Sequence, residues 1–154
     1  MSTDKRDRIQ ACLEAEIKRL CAIIKVPPYG VPNFTYLEGP SGCLSVRPDG
    51  TLFQGYFERG ELLSERETRD CDEFLYWIFV DAASYTAYTR ARDRPLGGGP
   101  TERELAHQES LLHALNPRWA ERRRRERLGG RHEHQDDRPA PEAPSAPAGG
   151  DAPA

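Results

Sequence analysis

Apolar residues recur at Ile9, Leu13, Ile17, Leu20 and Ile24, with Cys12 and Cys21 filling the stripe, which is the spacing of one helix face. With Thr3 or Asp4 as N-cap, the pattern predicts a helix to about Lys25; Pro27 and Pro28 forbid its continuation. The periodicity then changes. Short segments at residues 33–38, 43–47, 51–58 and 61–68 are divided by Gly39-Pro40-Ser41-Gly42, Pro48-Asp49-Gly50 and Arg59-Gly60, the turn chemistry of hairpins. Leu44 and Val46 alternate with polar neighbours, as do Phe53 and Phe57, so a sheet with one buried face is expected.

Asp70 to Asp81, DCDEFLYWIFVD, holds seven consecutive apolar or aromatic residues between acidic ends. Asp70 with Glu73 resembles a capping box, and the pattern continues without Gly or Pro to about Arg92. That is too long for a strand in a small domain, so one central helix is predicted, apolar on all sides in its first half. After the break RPLGGGP, Thr101 and Glu104 open a third helix with a stripe of Leu105, Leu111, Leu112 and Leu115. Asn116-Pro117 starts a fourth, which Gly129-Gly130 is expected to end. Trp119 is its expected anchor on the core.

The predicted fold class is α+β: an N-terminal helix, an antiparallel three- to four-stranded β-meander, then three helices. Residues 1–128 form one domain. Residues 129–154 contain no Ile, Leu, Val, Phe, Tyr or Trp and are rich in Pro, Ala and Gly, so they are expected to be a disordered acidic tail. The tail carries two arginines against five acidic residues and so holds the whole net charge of −3, while residues 1–128 balance 20 basic against 20 acidic groups. Global attraction to nucleic acid or to a membrane surface is thereby excluded, and only local patches matter. The first ten residues lack the apolar core of a secretory signal and no apolar run approaches a membrane span, so a cytoplasmic location is expected. Cys12, Cys21, Cys43 and Cys71 show no CxxC spacing and read as reduced, mostly buried thiols.

Candidate chemistry is sparse. Arg118, Arg122, Arg123, Arg124, Arg125 and Arg127 could neutralise phosphates, which makes a nucleic-acid-binding regulator using the helix at 117–128 the alternative reading. Glu121 and Glu126 interrupt the run, and arginines near a helix C-terminus complement its dipole, so nucleic acid is disfavoured. His132 and His134 have no cysteine at a finger-like spacing, and His107 and His113 lie on different helix faces; no metal site is expected. Ser41-Gly42-Cys43 lacks a nucleophile elbow and Gly97-Gly98-Gly99 lacks the Lys-Ser/Thr of a phosphate loop, so neither an enzyme nor a bound cofactor is expected.

The segments DEFLYWIF (Asp72 to Phe79) and QESLLHALNPRWAERRRRE (Gln108 to Glu126) resemble, in order and content, the Immunity protein 63 family of bacterial polymorphic toxin systems. That family is expected to carry a D-x-L-L-Y-W-like helix start and an L-x-P-x-W-x-x-R-R element after a β-meander, and the resemblance spans about Gly42 to Leu128. RPLGGGP and the acidic tail depart from it. The resemblance implies a protein that binds and neutralises a cognate toxin domain stoichiometrically, without turnover. Its partner would be the toxin C-terminal domain; neither the toxin's identity nor the oligomeric state is implied. Beside the core aromatics, Asp70, Asp72, Glu73, Tyr76, Trp77 and Asp81 form the candidate partner-binding patch, an aromatic centre with an acidic rim.

Overall fold

The computed structural model describes residues 3–35, 42–91 and 97–133. Helix α1 (Thr3–Ile24) is followed by a 3-10 turn (Pro28–Gly30), strands β1 (Cys43–Val46), β2 (Leu52–Glu58) and β3 (Glu61–Thr68), and helices α2 (Cys71–Arg90), α3 (Glu102–Leu115) and α4 (Pro117–Glu133). The α+β class and the element order are those expected from the pattern. Helix α1 ends as the proline pair requires: Lys25 takes a left-handed conformation, φ 56°, and the Val26 amide donates to the Cys21 carbonyl at 3.0 Å. At the β2-β3 turn, Arg59 and Gly60 both have positive φ, which gives a two-residue hairpin loop of the twist that antiparallel strands prefer.

The sheet is antiparallel with order β1-β2-β3. Of the expected strand at 33–38, Asn33 makes an isolated bridge to Cys43, and that bridge is parallel; residues 36–38 lie outside the described ones. Pairing of Leu44 with Gln54, and of Val46 with Leu52, puts these four side chains on one face. That face meets α1 and α2: Leu44, Val46 and Leu52 join one core with Leu13, Ile17, Leu20 and Ile24 of α1 and Phe74, Ile78 and Phe79 of α2.

Phe53, expected to mark the buried face, lies on the opposite one. Its burial there is local: the Arg47 guanidinium covers its ring at 5.0 Å and the ring folds across Gly55, where an added Cβ would meet it at 2.6 Å. Strand β3 is an edge strand, with Leu62 and Leu63 exposed.

Helix α2 is central as expected, with Phe74, Ile78, Phe79 and Ala83 fully buried. Two details of the helix ends differ from expectation. Asp70 caps α2 by accepting from the Asp72 and Glu73 amides at 2.8 and 3.2 Å, but Glu73 does not complete the box, because its carboxylate is engaged by α4. Helix α4 runs through Gly129 and Gly130 to Glu133, since glycine weakens a helix without ending it unless the backbone turns left-handed. The expected tail can be followed no further, residues 134–154 lying outside the described ones. The thiols are free, as read from the sequence, yet only Cys21 and Cys43 are buried; Cys12 and Cys71 are exposed.

Candidate functional site

The two sequence motifs meet face to face along α2 and α4. Trp119 is buried, stacks on Phe79 with ring centroids 6.2 Å apart, and meets Tyr76 edge-on at the same distance. Its indole N–H donates to Asp72 at 3.1 Å. One turn further on, Arg122 forms a two-pronged pair with Glu73 at 2.7 and 2.9 Å and lies 3.9 Å over the Tyr76 ring. Tyr76 is itself buried, and its hydroxyl donates to Glu126 at 2.7 Å.

These contacts set the electrostatics. The Arg122 hydrogen bonds hold the Glu73 carboxyl below its ordinary range despite the opposing cost of burial. Burial, together with the Glu126 carboxylate that accepts from the neutral hydroxyl, pushes Tyr76 far up. Asp72, Glu73 and Tyr76, three of the six candidate residues, therefore spend their polar groups on α4.

The other three differ. Asp70 is the exposed α2 cap. Trp77 is half-buried under the Arg66 guanidinium, 5.6 Å from its ring centroid, and Arg66 continues to Asp81 at 2.6 Å. Arg66 thus bridges β3 to the exposed edge of α2, and Asp81 stands where that edge opens into a cleft.

This cleft, about 690 Å³, lies between the inner face of the sheet (Gln54, Tyr56, Arg66), the second half of α2 (Asp81, Tyr85, Arg90) and the segment from Lys25 to Pro32. Tyr29 and Tyr85 are 82% and 62% exposed, so aromatic surface stands at its mouth. Its floor holds Gln54, which is 7% exposed and whose Oε1 has no hydrogen-bond partner among the described residues. An unpaired buried acceptor costs about 1–3 kcal/mol. In the sequence Gln54 is a single polar residue at an inward strand position, and the apolar Phe53 beside it competes for that face in the linear pattern.

The arginine helix is likewise engaged within the molecule. Besides Arg122, Arg123 lies 3.8 Å from Glu126, and Arg124 and Arg127 converge on Glu109 at 3.0 and 2.9 Å. Arg118 and Arg125 point to solvent. Four of the six guanidinium groups thus face carboxylates, three in all (Glu73, Glu109 and Glu126), which offsets half of the charge that phosphate binding would use. Among the described residues no group of His, Cys, Asp and Glu is placed to hold a metal ion, and no helix is long and apolar enough to cross a membrane.

Neither a curated protein nor a solved structure matches the chain. The family model of Immunity protein 63 matches residues 49–128, a span that begins at the β1-β2 turn and includes β2, β3, α2, α3 and the α4 motif. That match covers more than half of the chain, the α2 and α4 motifs included, and the chain belongs to the Immunity protein 63 family.

Proposed function

We propose that the protein protects a toxin-producing cell by binding a cognate toxin domain in the cytoplasm and occluding its working surface, one molecule for one. The observation that carries this reading is the family match over the half of the chain that builds the α2-α4 pair. Stoichiometric inhibition asks for a rigid surface rather than a reactive group, and the α2-α4 contacts supply rigidity: four charged side chains (Asp72, Glu73, Arg122 and Glu126) and three aromatic rings fix the two helices against each other.

The contact surface proposed is the exposed edge of α2, where Asp70, Trp77 and Asp81 touch the partner while Asp72, Glu73 and Tyr76 hold that edge in place from the α4 side. Charged groups at such a rim set association rate and choice of partner, and the aromatic ring supplies desolvated area. A gene beside this one is expected to encode a large secreted toxin with a variable C-terminal domain. Co-expression with that domain should restore growth and give a 1:1 complex on gel filtration. Continued cell death with no complex would overturn the proposal.

A further inference from the structure

Apart from the Arg66–Asp81 pair at its edge, the tyrosine-rimmed cleft is not used by any contact described above, and it carries an unsatisfied group at its floor. We infer that it receives a loop of the toxin domain, and that the loop is acidic and presents an amide N–H to Gln54. The inference rests on the immunity reading and names the segment of the partner that this site would hold.

Three observations select this occupant. First, Gln54 Oε1 is a buried acceptor without a donor, and the terminal torsion of glutamine is soft, so the amide turns toward an entering N–H with little resistance. A peptide is dense in such donors. Second, the lining charge is unbalanced. Arg66 is matched by Asp81, while Lys25 on one wall and Arg90 on the other have no carboxylate partner among the described residues; Glu65 pairs with Gly55 in the sheet register, which places its side chain on the opposite face. A carboxylate-bearing segment is therefore favoured over a basic one. Third, about 690 Å³ holds a few residues of a loop but not a helix with its side chains, and Tyr29, Tyr56 and Tyr85 offer rigid amphipathic rings of the kind enriched where proteins meet.

The consequence is a separation of stability from binding that a purely structural glutamine would not show. Gln54→Leu removes an acceptor that no described group satisfies, so its melting temperature should equal or exceed that of the unaltered chain. Its affinity for the toxin domain should fall at least tenfold.

The test is calorimetric titration of the full chain with the C-terminal domain of the neighbouring toxin gene, alongside thermal melts. Tyr85→Ala, at an exposed position, should bind at least tenfold more weakly with an unchanged melt. Arg90→Glu should weaken binding and Leu128→Ala, also exposed but on α4 and outside the cleft, should leave it unaltered. Binding by Gln54→Leu and Tyr85→Ala within twofold of the unaltered chain would overturn the cleft assignment while leaving the immunity reading intact. Tighter binding by Arg90→Glu would overturn the acidic occupant. Absence of any complex with the unaltered chain would instead overturn the immunity reading on which this one rests.

Discussion

The indole N–H of Trp119 donates to the carboxylate of Asp72 across 47 residues of chain, at 3.1 Å. That single bond joins the start of α2 to the start of α4 and brings the rest of the two motifs into step. From it, an i, i+4 progression along α2 (Asp72, Tyr76) and an i, i+3 or i+7 progression along α4 (Trp119, Arg122, Glu126) keep facing pairs in register, as side chains on packed helices must.

Trp119→Ala should therefore cost about 3–5 kcal/mol, because the ring is buried between Phe79 and Tyr76. Trp119→Phe keeps an aromatic ring there and loses the donor; it should cost about 1–2 kcal/mol, and Asp72→Asn in that background should add little. Urea melts of the three variants check both statements. Equal losses for Phe and Ala would show that the hydrogen bond, not the ring, carries the contact.

The Glu73–Arg122 pair gives a pH dependence with a definite sign. The folded-state pKa of Glu73 is depressed below its ordinary 4.5, so its contribution is fully present above that value and is lost as pH falls through the folded-state value. Both side chains are about one-third exposed, at 33% and 30%, which limits the pair to about 1 kcal/mol. The stability difference between the unaltered chain and Glu73→Gln, taken from urea melts, should be visible at pH 7 and should shrink as pH falls below 4.5. A difference that persists at low pH would assign it to packing.

Gly42 and Gly60 share a positive φ, 89° and 82°, but not surroundings. A Cβ at Gly42 would come within 2.7 Å of the Gly55 carbonyl oxygen, a backbone atom that cannot move aside; at Gly60 it would meet nothing within 4 Å. Gly60→Ala should cost only the left-handed penalty, about 1–2 kcal/mol, and Gly42→Ala distinctly more, about 3 kcal/mol, by thermal melts. Equal costs would mean that β1 and β2 separate readily at that end.

For the arginine helix the expected outcome is weak, non-specific binding at most. Titration of duplex DNA at low salt should show no saturable complex, since Arg122, Arg123, Arg124 and Arg127 face carboxylates. Tight binding with a steep salt dependence that falls when Arg124 and Arg125 are replaced would restore the nucleic-acid reading.

Helix α2 shows which inferences survive without coordinates. Its length, its Asp70 cap and the burial of Phe74, Ile78 and Phe79 follow from local pattern, because capping and amphipathicity act over a few residues. The same holds for Thr101 and Glu104, whose mutual bonds form the expected capping box of α3. Phe53 shows where the pattern misleads. In a seven-residue strand with apolar residues on both faces, alternation cannot tell which face is covered, and pairing of Leu52 with Val46 and Thr68 decides it.

The candidate site divides the same way. Local sequence alone determined that residues 70–81 would be an acidic-ended apolar helix and that LNPRWAERR would open another, since each signal lies within one or two turns. Only the tertiary structure decided what the polar groups do. Asp72, Glu73 and Tyr76 read as a surface patch until Trp119, Arg122 and Glu126, about 50 residues away, were brought against them. The cleft over Gln54 had no linear trace at all, because its walls come from β2 and β3, α2 and the segment after α1, and a cavity exists only where chains distant in sequence fail to fill the space between them.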